Sequence, residues 1–282
     1  MSFLGNKKVV RKNPRAYNKP ERLKILAFSD VGRWGGMKLL INRFNPDIIA
    51  LAGDLVFDGF APFYWRETLS DEIPKGKDFE KFRKDHINKF YSFLAYAGKK
   101  SKVISVRGNH DDDFVGDYCP QKINQIPGCY EVSGKTIELE GYTFLGLGYD
   151  DVEDGKKLRH MSKELARKVD VILMHGKNIR LVSSLFKPRV IIKGGLKLGA
   201  CLVDDVPTVF TGPAGCAIIK LKGKIVSKIS EYVFNFSRWN VFKGSAGVWL
   251  KPGEIREAPL RVPYRYGWVK PPNLRLPSEK GS

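Results

Sequence analysis

Four residues whose types suit a divalent cation each follow an apolar run. Asp30 closes LKILAFS at 23–29, and Asp54 follows DIIALA and Gly53. Asn109 comes shortly after VISV at 103–106, and His175 ends VILM at 171–174. Carboxylate and amide oxygens suit hard cations such as Mg, and an imidazole shifts the preference toward Mn, Fe or Zn. Asp54 has two oxygens and so is able to bridge two ions. His110 directly follows Asn109, which turns it toward a substrate rather than toward a metal, and Asp111 is placed to orient it. An imidazole backed by a carboxylate is a good proton donor to a leaving alkoxide. Each residue also has a plain reading: Asp30 and Asp54 as helix caps, Asn109 in a Gly-Asn turn, His175-Gly176 as a strand-end turn. Four such residues, each behind a separate apolar strand, make coincidence a poor explanation.

The elements that must hold these residues follow from hydropathy. Strands are expected at 23–29, 47–52, 103–106 and 171–174, and short strands near 129–133, 136–140, 142–148, 189–193, 198–203, 206–211, 216–221 and 224–231. Helices are expected after Gly35-Gly36, with Met37, Leu40, Ile41 and Phe44 on one face and Asn45-Pro46 as the stop. Further helices are expected over 78–98, with Phe79, Phe82, Phe90, Phe93 and Leu94 as the apolar side, and over 158–169 and 178–186. Strand–helix–strand units first and short strands later predict an α/β fold: two mixed sheets packed face to face and flanked by helices. The four ligand-type residues then sit at the C-terminal ends of strands, where open α/β sheets place their ligand sites.

FSD at 28–30, AGDLVFDG at 52–59, RGNHDDDF at 107–114, LGLGYD at 145–150 and LMHGKN at 173–178 resemble, in order, the motifs of calcineurin-like metallophosphoesterases. The resemblance spans roughly residues 23–232. It implies that fold, with Asp30, Asp54, Asn109 and His175 as metal ligands and His110 with Asp111 as the catalytic pair.

The same resemblance implies losses. The family's Asp-x-His reads Asp30-Val31-Gly32, and its Gly-His-x-His aligns with Gly194-Gly195-Leu196-Lys197. The first metal position, at Asp30, Gly32, Asp54 and Lys197, keeps two of four ligands; the second, at Asp54, Asn109, His175 and Gly195, keeps three of four. The other histidines, His86 and His160, sit in expected helices away from every motif and do not restore the set. One divalent metal at the second position, or none, is the expectation. In two-metal hydrolysis both ions stabilise the attacking and leaving oxygens, so the losses imply weakened catalysis. A Lys197 ammonium is able to pair with a phosphate oxygen in the first position.

The net charge of +19 is concentrated at the ends: residues 1–24 carry +7, residues 236–282 carry +6, and the 211 between them carry +6. Basic tails on a more balanced body point to a polyanionic partner. In the N-terminal tail the candidates are Lys7, Lys8, Arg11, Lys12 and Arg15. In the C-terminal tail Arg261, Tyr264, Arg265, Tyr266, Trp268 and Lys270 interleave cations with rings able to stack on bases. The same segment is equally read as a wrap that buries its rings on its own domain. The expected organisation is a basic extension at 1–22, a domain at 23–235 with an insertion at 59–100 that shapes access to the site, and a Pro-rich aromatic extension at 236–282.

The four cysteines form no CxxC pair and read as buried free thiols. No apolar run reaches the ~20 residues of a membrane span, and no signal-peptide stretch opens the chain. The expected setting is cytoplasmic. The favoured function is a metallophosphoesterase-like protein with reduced or absent catalysis that binds nucleic acid, RNA or a ribonucleoprotein. Its alternative is an active phosphoesterase with a one-metal or atypical two-metal site acting on a small or polymeric phosphoester. A third reading is a protein-interaction module that uses exposed aromatics.

Overall fold

The computed structural model describes residues 22–31, 34–56, 77–112, 117–165, 169–195, 198–212, 215–223, 225–234, 242–243, 249–250, 255–258, 262–264 and 267–269. The apolar runs form the central strands. β1 (Arg22–Phe28), β2 (Ile48–Ala52), β3 (Lys102–Val106) and β4 (Cys129–Glu131) run parallel. All of β2 is buried, as a continuous apolar run covered on both faces must be. The second group is β5 (Lys135–Leu139), β6 (Tyr142–Leu147), β7 (Val171–His175), β8 (Val190–Gly194), β9 (Gly199–Val203) and β10 (Val206–Thr211). β11 (Gly215–Lys222) then returns antiparallel to β1, and β12 (Ile225–Phe234) pairs with β11.

Beyond β12 come a short hairpin, β13 (Phe242–Lys243) with β14 (Trp249–Leu250), the strand β15 (Ile255–Ala258), and a hairpin of β16 (Val262–Tyr264) with β17 (Gly267–Val269). The first sheet has the order β15-β12-β11-β1-β2-β3-β4, and the second β5-β6-β7-β8-β10-β9. Both are mixed, as expected. The C-terminal segment adds an edge strand to the first sheet, with Glu231 opposite Ala258, and lays β16 against the β9 edge of the second.

The core between the sheets is aliphatic, drawn from alternate residues such as Ile25, Ala50, Ile104, Leu173 and Ile192. Helices α1 (Met37–Phe44) and α2 (Lys77–Gly98) cover the outer face of the first sheet, where Trp34 packs against Phe90 and Phe93 at ring-centroid distances of 5.0 and 4.8 Å. Helix α1 ends at Asn45, as its Asn-Pro signal requires; the residue adopts φ 42°, ψ 64° and its N–H donates to the Ile41 carbonyl. Two helices of five residues each, α3 (Pro120–Asn124) and α4 (Tyr149–Glu153), are too short to show an apolar periodicity in the sequence. Helix α5 (Gly155–Glu164) begins and ends earlier than the expected 158–169, because the Asp154 carboxylate caps the N–H groups of Lys156 and Lys157. Together with α6 (Ile179–Phe186) it covers the second sheet through Leu158 and Val182. Cys129 and Cys216 are buried free thiols as expected, but Cys119 and Cys201 are only half-buried. Among the described residues no helix is long and apolar enough to cross a membrane.

One buried carboxyl makes stability pH-dependent. Glu231 lies opposite Ala217, a residue of the inter-sheet core; it is 1% exposed, and its Oε1 has no hydrogen-bond partner. Burial pushes its carboxyl up to about 8. Glu231 therefore binds its proton more tightly folded than unfolded, where carboxyls titrate near 4.3. The stability it permits is complete below the unfolded value and falls as pH rises through about 8. Glu231→Gln is expected to flatten the fall of Tm from about pH 5 to pH 8 and to exceed wild type at the upper end by a few kcal/mol. Paired thermal melts across that range check this; parallel curves would refute it.

Candidate metal centre

The site forms where β1, β2, β3 and β7 end together. Asp30 and Asp54 follow β1 and β2, and both adopt the left-handed region, at φ 53° each. That conformation is uncommon for residues other than glycine and collects at functional sites. The Asp30 N–H donates to the Gly53 carbonyl at 3.1 Å and the Val31 N–H to the Asp54 carbonyl at 3.2 Å, so the two strand ends are tied in parallel.

Two glycines permit the close approach. A Cβ at Gly194 would lie 1.8 Å from the Ala52 carbonyl oxygen, and one at Gly108 would lie 2.1 Å from Asp54 Oδ1.

His175 is 3% exposed. Its Nδ1 lies 2.7 Å from the Ala52 carbonyl oxygen, which only accepts, so Nδ1 carries a proton and Nε2 faces the site. Nε2 lies 3.1 Å from Asp54 Oδ2 and 3.1 Å from Asn109 Oδ1. A backbone carbonyl fixing the far nitrogen is the usual support of a metal-ligating histidine. Ligand atoms of Asp30, Asp54 and His175 all lie within 4.8 Å of one another. Three lone-pair atoms gathered this closely need a positive centre among them, either a proton or a cation. The donor set of imidazole, carboxylates and amide oxygen therefore fits a divalent ion.

The electrostatics agree. Burial, with the Asp54 charge, raises the Asp30 carboxyl to about 6. Burial would also raise Asp54, but the hydrogen bond and charge of His175, helped by the His110 N–H at 3.0 Å, hold it below the ordinary carboxylate value. Burial opposes charging His175, yet the Asp54 bond and the two carboxylates outweigh it and raise its pKa.

The structure brings together Asp30, Asp54, Asn109 and His175, and the charge of His110 is felt at Asp54. Asp111 is placed differently from the expected orienter of His110. It is 2% exposed, with Oδ1 accepting from the N–H groups of Leu55 and Val56 at 2.6 and 2.8 Å and Oδ2 from Gly108 N–H at 2.7 Å. Its carboxylate thus ties the loop after Asp54 to the loop before Asn109. Gly195, assigned to a lost ligand, donates its backbone N–H to Asp30 Oδ2 at 3.0 Å.

Gly32 and Lys197, the other lost positions, lie outside the described residues, as do Lys7, Lys8, Arg11, Lys12, Arg15, Arg261, Arg265, Tyr266, Lys270 and residues 59–76 of the expected insertion at 59–100, the rest of which is mostly α2. Tyr264 and Trp268 are described only as backbone in β16 and β17. His86 is buried in α2 with its pKa lowered to about 4 by burial, and His160 pairs with Glu164 on the exposed face of α5; both are away from the centre as expected.

Sequence reasoning missed Ser29, whose hydroxyl lies between the Asp30 carboxylate and the Thr211 carbonyl. The serine beside Asp30 was the only local sign, and Thr211 is 182 residues away.

A profile of calcineurin-like phosphoesterases matches residues 23–212. One solved crystal structure is 17% identical, aligns over 76% of this chain and 100% of its own length, and superposes with a TM-score of 0.57. The crystal structure of TT1561 from Thermus thermophilus is 15% identical over 74% of this chain and 97% of its own, with a TM-score of 0.51. At these identities the two structures speak for the fold alone. No curated protein matches the chain in sequence.

Proposed function

This chain belongs to the calcineurin-like phosphoesterase family, and from that premise we propose that it holds a single divalent cation and uses the centre chiefly to bind phosphoesters, with hydrolysis reduced or absent. The phosphoester is the backbone of a nucleic acid, RNA or a ribonucleoprotein. The observation that carries the metal reading is the meeting of His175 Nε2 with Asp54 Oδ2 and Asn109 Oδ1 at 3.1 Å each. These three residues, with Asp30 beside them, would hold Mn, Fe, Zn or Mg. When bound, the ion neutralises charge on phosphoryl oxygens as a Lewis acid.

Reduced hydrolysis is supported by Gly195, which offers a backbone N–H to Asp30 where the family pattern has an imidazole. Asp30 Oδ2 is further engaged by the Ser29 hydroxyl. The polyanion reading is supported by the charge of +19.

The second reading, an active phosphoesterase, draws on His110. Its backbone N–H is anchored to Asp54 Oδ1 and its charge is felt at that carboxylate, which supports a role for its ring in passing a proton to a leaving alkoxide.

Titration calorimetry of the full chain with Mn²⁺ is expected to give about one ion per chain, with the heat lost in His175→Ala. A generic phosphodiester and monoester assayed beside that variant are expected to show little or no metal-dependent turnover. Brisk turnover abolished by His175→Ala would establish the enzyme reading instead, and two ions per chain would overturn the single-cation count.

A further inference from the structure

The outer helix layer of the second sheet carries charge that the centre does not use. Helices α5 and α6 lie side by side over that sheet. On α5, Leu158 is buried against the sheet, while Lys156, Arg159 and Lys163, at i, i+3 and i+7, are all exposed. On α6 and the turns flanking it, Lys177, Arg180 and Lys187 are exposed as well. None of these six has an ion-pair partner among the described residues. The basic residue of the layer that does, Lys157, pairs with Asp151 at 2.6 Å.

The acids of the layer are mostly occupied: Asp154 caps α5 and Glu164 pairs with His160, which leaves Glu153. Six exposed cations on two packed helices and their flanking turns, against the carboxylates of Glu153, Asp154 and Glu164, leave the layer net positive, so that it gains from a polyanion laid across it.

The layer is also connected to the centre. Lys177 is two residues after His175, and α6 starts immediately beyond it, at the end of β7 where the ligands gather. Helix α5 likewise starts at that end, because it follows β6, which is parallel to β7. Lys156, Lys177 and Arg180 therefore stand near the rim of the centre, and Lys163 and Lys187 at the far end of the layer. Ten residues of α-helix measure about 15 Å, a length over which an extended single strand, its phosphates roughly twice as far apart as the 3.4 Å of a duplex strand, presents two or three phosphates.

We propose that the exposed face of α5 and α6 is a docking surface for the phosphodiester backbone of a single nucleic-acid strand, leading from the metal centre along the helix layer. This rests on the nucleic-acid part of the proposed function and adds a location for it on the folded domain rather than on the terminal tails. A strand fits better than an anionic bilayer because the track is linear and begins at a phosphoester-binding centre.

The test uses the full chain, a labelled single-stranded RNA of about 20 nucleotides, and anisotropy titrations across a salt series. The triple variant Arg159→Glu, Lys163→Glu, Arg180→Glu is expected to bind at least about tenfold more weakly, with the log–log salt slope smaller by about 2, as the loss of three phosphate contacts predicts for a single strand. All three sites are exposed, so the melting curve should be retained. The milder Arg159→Gln, Lys163→Gln, Arg180→Gln variant should fall between the two, which separates lost attraction from misfolding. Unchanged affinity and slope would overturn the surface and leave the tails as the binding element. Equal loss of binding to phosphatidylserine vesicles, with RNA binding intact, would overturn it in favour of a membrane. Mn²⁺ stoichiometry measured on the same variants should not change; its loss from wild type would instead sink the metal reading.

Discussion

Asp54→Ala is expected to weaken divalent-cation binding by on the order of 10³ or more, the largest single effect at the centre. The carboxylate is mostly buried and already polarised: Oδ2 lies 3.1 Å from His175 Nε2, and Oδ1 accepts the His110 N–H at 3.0 Å. A unit charge pair at 4 Å is worth about 4 kcal/mol at an effective dielectric of 20, and a divalent ion doubles that attraction. Desolvation takes back part of it, so a thousandfold loss, about 4 kcal/mol, is a conservative expectation. The comparison with Asp30→Ala gives the location. Asp30 Oδ2 is engaged by the Gly195 N–H and the Ser29 hydroxyl, so its removal should weaken binding much less. Calorimetric titration of both variants with Mn²⁺ decides the matter. Equal losses would place the ion between the two aspartates, and a loss at Asp54 of less than about tenfold would mean that the cation is held elsewhere.

The second large effect belongs to stability. Asp111→Ala strips the acceptor from the buried N–H groups of Leu55, Val56 and Gly108 at once. Each unsatisfied buried donor costs about 1–3 kcal/mol, so loss of the acceptor for three of them should cost the variant on the order of 3–9 kcal/mol by chemical denaturation. Burial and the nearby Asp54 charge raise the Asp111 carboxyl to about 7, yet its hydrogen bonds are accepted by oxygens that an amide only partly reproduces. Asp111→Asn keeps one oxygen for Leu55 and Val56 but turns an NH₂ toward the Gly108 N–H, and should lose roughly half as much. Both variants should also bind cation less well while still folded, because the clamp sets the spacing between Asp54 and Asn109. A loss below about 1 kcal/mol in Asp111→Ala would show that the three donors find other acceptors.

Much of the domain was written in local patterns. The apolar runs before Asp30, Asp54 and His175 became β1, β2 and β7. Phe90, Phe93 and Leu94 became the buried side of α2, and Asn45 ended α1. Such features are legible because strand burial and helix amphipathicity are periodic in the chain itself, and cap chemistry acts over a few residues. The motif order was enough to indicate the family, since the ligand residues sit at strand ends that the same runs define.

The meeting of those residues was decided by tertiary structure. Asn109 and His175 are 66 positions apart, and the Ala52 carbonyl that sets the tautomer of His175 is 123 positions away. Asp111 looked like a partner for the adjacent His110, but sheet register carried Leu55 and Val56 to it, and backbone donors took its carboxylate. Gly195 read as a missing side chain, yet the end of β8 presents its N–H to Asp30. The sequence by itself settled which residues end strands, because burial of a run is a local property. Which of them share one point depended on two sheets closing over a common core, and that follows from long-range packing no local pattern encodes.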